Sequence, residues 1–398
     1  STHGKIILKK IVVPSDDETE FEFTGDLNGI IGNGEELSDI VTPETYVVTE
    51  KPVEGWVIDS IVCEDPTGNS GANPENESQI LFNVDDGETV ICTVTNSRLG
   101  EISGYKFEDN DGDGLWDDGE LGLSDWEITA QIGNKIITKT TDENGYYEFE
   151  NLPFGTYVVR ETAQDGWTQT SINPENIPIS AGDEIEDVNF GNFKHVTINV
   201  SKDVVGIDES TDVIDTKEFT ALLNNADGKA IAESTTATYT ITEPGTYTVS
   251  EAEEKDYKIL GCFLGDDEFT NYKVESGQIY NVVCKNAQLP AKLIVRKNVV
   301  NSQNIDEEIF SEDEFDVVLG EEETKQMADK LDGKIKAEFD GLQPGDYTFT
   351  ETPKEGYVFE GCTDGGMVTL GSNQTVEVAC TNKIIDPLLE IEKTNNKQ

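Results

Sequence analysis

One short segment concentrates the residues of this chain that can do chemistry. Asp109-Asn110-Asp111-Gly112-Asp113-Gly114-Leu115-Trp116-Asp117-Asp118-Gly119-Glu120 sets acids at positions 1, 3, 5, 9 and 12 of a twelve-residue loop, with glycine at position 6. Oxygen-only ligands at that spacing suit a hard cation that takes six to eight oxygens, and calcium is the natural choice. Asp109, Asp111, Asp113 and Asp117 would supply carboxylates, Leu115 its backbone carbonyl and Glu120 both carboxylate oxygens. The flanks, residues 101–107 and 126–132, read as strands, so the loop is not part of a helix–loop–helix sensor. The plainer alternative is an acidic surface turn. Other acidic runs, such as Asp85-Asp86-Gly87 and Glu321-Glu322-Glu323, lack the spacing and read as solvated loops.

The elements that must position such residues are strands. Helical periodicity is scarce, and short alternating stretches rich in Val, Ile, Thr and Tyr recur between Gly, Asn, Asp and Pro. That is the pattern of β-sandwiches or barrels. Residues 321–331 (EEETKQMADKL) are a candidate helix, or equally a polar loop. A repeat runs through the whole chain. ETYVVTE ending at Glu50 returns as GTYVVRE at Glu161, GTYTVSE at Glu251 and GDYTFTE at Glu351. Six residues after each Glu stands an aromatic: Trp56, Trp167, Tyr257 and Tyr357. Each unit opens on an alternating strand bearing Lys10, Lys106, Lys202 or Lys297, and closes on one bearing Asn96, Asn192, Asn286 or Asn382. The opening lysines are 96, 96 and 95 residues apart. Four tandem domains follow, 1–99, 100–193, 194–288 and 289–384, with linkers so short that a stiff rod is expected. Residues 385–398 repeat the start of an opening strand, with Lys393 in the lysine position. This orphan strand is either the beginning of a fifth domain or a strand donated to a neighbouring subunit.

These phrases resemble the Cna B-type and SpaA-type domains of bacterial and archaeal surface proteins, which have a prealbumin-like (transthyretin-like), Ig-like β-sandwich fold. The second unit is similar to their SdrD B-type relatives through Ser103-Gly104-Tyr105-Lys106-Phe107-Glu108-Asp109, Gly119-Glu120-Leu121-Gly122-Leu123 and the stretch TDENGYYEF at residues 141–149. The likeness implies an all-β chain of four such sandwiches. It also implies calcium in the second unit. Its sharpest implication is covalent: in such domains the first-strand lysine amine attacks the last-strand asparagine carboxamide, helped by a buried acid, and forms an isopeptide bond. The sets are Lys10/Glu50/Asn96, Lys106/Glu161/Asn192, Lys202/Glu251/Asn286 and Lys297/Glu351/Asn382. An apolar core that lowers the lysine pKa and raises that of the acid makes the step chemically coherent. The alternative is a Lys–Glu ion pair hydrogen-bonded to Asn, or lysines that snorkel to solvent.

Six cysteines allow fifteen pairings. They fall two each in units one, three and four, which makes Cys63–Cys92, Cys262–Cys284 and Cys362–Cys380 the simplest solution. Free buried thiols in a reducing compartment are the alternative. Disulfides imply an oxidising, extracellular setting.

Composition narrows the function. With 81 acidic residues against 28 basic ones the formal net charge is −53, which repels nucleic acid and anionic lipid. No apolar run is long enough to span a bilayer. The only two histidines are His3 and His195, and no nucleophile–base pair or phosphate loop stands out, so an enzyme is not expected. The expectation is an extracellular, cell-surface structural protein, a stalk, fibre or filament subunit stapled by isopeptide bonds, disulfides and calcium. Its partners would be further copies of itself or neighbouring surface proteins. The alternative is an adhesin for a host, matrix or neighbouring-cell ligand. Against that, no exposed aromatic cluster is evident in the sequence.

Overall fold

A computed structural model describes residues 3–301, 303, 315–321, 323–327, 329–331 and 334–385. Among these, strands dominate, and the helical content is a single 3-10 turn, Thr363–Gly366. The chain parts into two compact units, one built mainly from residues 1–196 and the other mainly from residues 197–398.

Each sequence repeat supplies a main sheet with the same centre. In the first repeat the order is Glu36–Val41, Gly4–Val13, Thr89–Arg98 and Trp56–Glu64; a second sheet runs Gly29–Ile31, Phe21–Gly25, Thr45–Glu50, Asn76–Asn83 and Gly71–Asn73. The opening strand Gly4–Val13 and the closing strand Thr89–Arg98 lie side by side and parallel, while every other pairing in this repeat is antiparallel. The same parallel pair recurs as Gly100–Glu108 with Phe190–Lys194, Val196–Val205 with Ile279–Gln288, and Ala291–Val300 with Thr375–Ile384. A parallel pair needs a long crossover connection, and the remainder of each repeat supplies it.

Alternation puts one face of each opening strand in the core. Ile6, Leu8 and Val12 are buried in the first repeat, as are Ile198, Val200 and Val204 in the third and Leu293, Val295 and Val299 in the fourth. The lysines occupy the same series: Lys10, Lys106, Lys202 and Lys297 are 1%, 0%, 6% and 1% exposed. In the first, third and fourth repeats, burying those three aliphatic side chains at roughly 1.5–3 kcal/mol apiece is what holds the lysine inward against its own hydration.

Among the described residues of 321–331 there is no helix. Glu323–Met327 pairs antiparallel with Phe315–Leu319, burying Met327, and Asp329–Leu331 pairs with Lys334–Leu342. The helix-favouring Glu, Lys, Gln and Met side chains lose here to ladder hydrogen bonds and one buried anchor. The orphan strand falls beyond residue 385, outside the described residues.

Candidate functional site

The closing asparagine sits two residues beyond the partner of the opening lysine in every repeat. Lys10 faces Val94 and Val12 faces Asn96; Lys106 faces Phe190 and Glu108 faces Asn192. Lys202 faces Cys284 and Val204 faces Asn286; Lys297 faces Cys380 and Val299 faces Asn382. A two-residue offset keeps both side chains on one face. The glutamates approach from the opposite sheet, where Phe23, Ile128, Ala221 and Val317 face Glu50, Glu161, Glu251 and Glu351.

The three side chains converge in the first, second and fourth repeats, and lysine and glutamate do so in the third. Lys10 Nζ lies 4.0 Å from Glu50 Oε2, and Asn96 Nδ2 donates to Glu50 Oε1 at 2.5 Å. Lys106 Nζ lies 3.5 Å from Glu161 Oε2, and Asn192 Nδ2 donates to Glu161 Oε1 at 2.8 Å. Lys202 Nζ donates to Glu251 Oε2 at 3.1 Å. Lys297 Nζ donates to Glu351, and Asn382 Nδ2 donates to the same carboxylate at 2.5 Å. Asn286 differs from the other three, since both its amide atoms are buried without a hydrogen-bond partner. In all four repeats the asparagine Oδ1 is a buried acceptor with no donor.

Burial sets the electrostatics. It pulls Lys10, Lys106 and Lys297 down to about 8 against the partial restoring pull of their glutamates, and it lowers Lys202 as well. Burial pushes Glu50, Glu161 and Glu251 up, although the paired lysines, and for the first two the asparagine hydrogen bonds, oppose it. An uncharged amine beside a protonatable acid and a carboxamide is competent for acyl transfer.

Sequence reasoning missed a fourth member. Each ammonium rests on an aromatic face: Lys10 over Phe21 at 4.4 Å, Lys106 over Trp126 at 4.4 Å, Lys202 over Phe219 at 4.3 Å and Lys297 over Phe315 at 4.2 Å. The signal was present. Each ring stands two residues before the partner of the glutamate, in Phe21-Glu22-Phe23, Trp126-Glu127-Ile128, Phe219-Thr220-Ala221 and Phe315-Asp316-Val317. The aromatic six residues after each glutamate meets this ring edge-on: Trp56 on Phe21 at 5.3 Å, Trp167 on Trp126 at 5.5 Å, Tyr257 on Phe219 at 5.0 Å and Tyr357 on Phe315 at 5.1 Å.

All six cysteines form disulfides, Cys63–Cys92, Cys262–Cys284 and Cys362–Cys380, each between directly opposed residues of antiparallel neighbours. Glu251, Cys262 and Cys284 cluster closely enough to hold a metal, but their sulfurs are consumed by the disulfide.

In the acidic loop, Asp109 is fully buried and Leu115 is 64% exposed. Gly112 and Gly114, at φ 78° and 83°, take the left-handed conformation that turns their N–H groups onto Asp109 Oδ1 and Oδ2 at 2.7 and 2.8 Å. Glu120 reaches back to accept from Asn110 N at 2.7 Å and Asp117 N at 3.0 Å. One carboxylate oxygen from each of Asp109, Asp111 and Glu120 lies within 4.8 Å of the others, and so do those of Asp111, Asp113 and Asp117. Burial and the neighbouring Asp109 and Asp117 raise the Glu120 carboxyl, against its backbone hydrogen bonds. This all-oxygen donor set fits a hard divalent cation.

Beside the loop one ring of a largely half-buried aromatic group reaches the surface. Tyr105 packs on Trp116 and Tyr146 at 4.8 and 5.2 Å, Trp116 is 38% exposed and Leu121 70% exposed. Tyr105, Trp116 and Leu121, with Glu120, Glu143 and Asn144, line an open pocket of about 600 Å³.

Two family models match the chain, a prealbumin-like fold domain over residues 6–98 and an SdrD B-like domain over residues 100–213. These are tandem prealbumin-like domains, the second of the SdrD B-like kind. The SdrD B-like match runs past the closing strand Phe190–Lys194 and through the next opening strand. Among curated relatives, a fibrinogen-binding protein of Staphylococcus epidermidis is 30% identical over 194 residues, covering 47% of this chain and 15% of that protein. A serine-aspartate repeat-containing protein F of the same species is 37% identical over 98 residues, covering 24% of this chain and 6% of that protein. The chain thus spans only a small part of the length of these relatives. Among solved structures, the Bacillus anthracis TIE protein is 16% identical with a TM-score of 0.36, covering 95% of this chain and 68% of that one. Two B repeat units of the Staphylococcus aureus collagen-binding protein are 15% identical with a TM-score of 0.19, covering 96% of this chain and all of theirs.

Proposed function

We propose that the chain is a load-bearing segment of an extracellular, cell-surface structural protein, a stalk or filament subunit. Its four domains, with boundaries near residues 99, 193 and 288, are each locked by a Lys–Asn isopeptide bond. The observation that carries this reading is the fourfold recurrence of a buried Lys/Glu/Asn set in one register between the first and last strands of a repeat. A buried Lys–Glu pair is a poor stabiliser by itself, because desolvation offsets most of the attraction. Retaining four of them, each with an asparagine oxygen lacking a donor, has a chemical rationale in bond formation.

In the proposed step the neutral lysine Nζ attacks the asparagine Cγ while the protonated glutamate donates to Oδ1, the acceptor left orphaned. The Nζ–Cγ bond forms and the Cγ–Nδ2 bond breaks. One amine proton passes through the carboxyl to the leaving nitrogen, which departs as ammonia. The ring beneath each lysine and the edge-on aromatic keep the site dry, and that burial eases loss of the ammonium proton. Disulfides in the first, third and fourth repeats add staples worth about 3 kcal/mol each. Calcium held by Asp109, Asp111, Asp113, the Leu115 carbonyl, Asp117 and Glu120 would rigidify the second. Short junctions support transmission of force: Leu99 alone separates the strands of repeats one and two, its N–H donates to Gly55 O at 2.8 Å, and Arg98 Nη2 donates to Glu184 Oε1 at 2.8 Å. The partners on this reading are further copies of the chain or neighbouring surface proteins.

Single-molecule pulling on the full chain tests it. Each crosslink hides the residues between its ends, so no unfolding step is expected from any repeat. The quadruple variant Glu50→Gln, Glu161→Gln, Glu251→Gln, Glu351→Gln should release about 300 Å per repeat at roughly 3.3–3.6 Å per residue, less where a disulfide remains. Full-length steps from the unaltered chain would contradict the proposal. An adhesin is the second reading, favoured by the exposed Trp116 packed on Tyr105 and by the fibrinogen-binding name of one relative.

A further inference from the structure

We propose that the Cys262–Cys284 disulfide is a positioning element of the third crosslinking site, a dry wall that keeps Glu251 poised beside Lys202, and not only a staple between strands. The inference rests on the crosslinking reading above. The two cysteines oppose each other directly across the antiparallel pair, and they are 2% and 0% exposed. A carboxylate oxygen of Glu251 lies within 4.8 Å of both sulfurs. Cys284 is also the residue that faces Lys202 across the parallel pair, and its carbonyl accepts from Lys202 Nζ at 3.3 Å. One disulfide therefore borders the acid and, through the backbone of Cys284, the amine.

The first repeat is built differently. Cys92 faces Leu8, two residues before Lys10, and precedes Asn96 by four residues, whereas Cys284 precedes Asn286 by two. The same covalent link is thus shifted by one pleat away from the reacting groups, and the chain contains its own control. A disulfide has no S–H to donate, so the wall offers Glu251 no hydrogen bond that would favour its ionised form. Serine hydroxyls at the same places would offer one, and the step needs the acid. An apolar pair would restore the dry wall without the covalent link.

The full chain, recovered from inclusion bodies in urea, is diluted into folding buffer at a series of pH values, and peptide masses report ammonia loss at each site with time. The double variant Cys262→Ser/Cys284→Ser is expected to slow the third site on the order of tenfold, the equivalent of one pKa unit, and to move its pH profile toward acid. The first site should keep its rate and profile. Cys262→Val/Cys284→Ala is expected to retain the unaltered rate at the third site. Equal slowing by both double variants would show a simple staple and overturn the proposal, as would no slowing by either. If hydrogen exchange shows that the serine variant leaves the third repeat unfolded, the apolar pair decides alone: an unaltered rate upholds the wall, and a tenfold loss overturns it. Absence of ammonia loss at every site in the unaltered chain would overturn the crosslinking reading itself, and is distinguishable because it is not confined to the third repeat.

Discussion

Trp56 meets Phe21 edge-on, with ring centroids 5.3 Å apart and planes at 86°, while the other partner of Phe21 is the Lys10 ammonium, 4.4 Å above its ring. A half-buried aromatic six residues after the glutamate thereby reaches the lysine through one intervening ring. The relation repeats in all four repeats, and it explains why the phrase ending in Glu is always followed by an aromatic at that distance.

In an Asn96→Ala chain below pH 8, where Lys10 stays a free ammonium, Phe21→Ala should destabilise the first repeat by about 3–5 kcal/mol through cavity formation, whereas Phe21→Leu should forfeit mainly the ring attraction of about 0.5–2 kcal/mol. Hydrogen exchange of first-repeat amides reads both. Equal costs would mean that the ring acts only as filler.

An Asn96→Ala chain keeps Lys10 and Glu50 but cannot crosslink them, and its stability should depend on pH in two windows. Burial lowers Lys10 from 10.5 to about 8, so between those values the unfolded chain binds more protons and stability rises with pH. Burial raises Glu50 above its ordinary 4.5, so the folded chain holds its proton longer and stability falls as pH climbs past that value. The Tm gap to the unaltered chain, whose Lys10 would be an uncharged amide, should therefore narrow from pH 8 to 10.5, by at most about 3 kcal/mol in stability. A gap that stays constant across that window would show Lys10 is not desolvated.

Calcium removal should lower the unfolding temperature of the second repeat, with about 2.7 kcal/mol lost when the ion had been at a hundredfold its dissociation constant. Asp109→Ala should abolish that difference. Terbium in place of calcium should show emission sensitised by Trp116, whose Nε1 donates to Glu120 O at 3.2 Å. Identical melting with and without a chelator would remove calcium from the account.

Much of this was legible because the repeat supplies its own alignment. The Lys, Glu and Asn positions recur at near-constant separations, and alternation placed each lysine on the face of Ile6 and Leu8. The rings under the lysines were not legible. The separation from Lys to ring is 11 residues in the first repeat and 20 in the second, because the connections between those strands vary. Their common feature is register with the glutamate, which only pairing reveals. The strand Glu323–Met327 was ambiguous for another reason. Its residues favour a helix locally, and only Met327 is buried to betray the two-residue period. The exposed Trp116 was read as part of an acidic loop, whereas its packing on Tyr105 and Phe107 depends on the loop folding back over the opening strand.

Intact mass of the folded, unreduced full chain, followed by peptide mapping, tests the central claim most directly. The account predicts a mass short of the sequence value by four ammonias beyond the six hydrogens lost to three disulfides, with branched peptides joining Lys10 to Asn96, Lys106 to Asn192, Lys202 to Asn286 and Lys297 to Asn382. A mass equal to the sequence less those hydrogens alone, with the eight residues recovered in linear peptides, would contradict it.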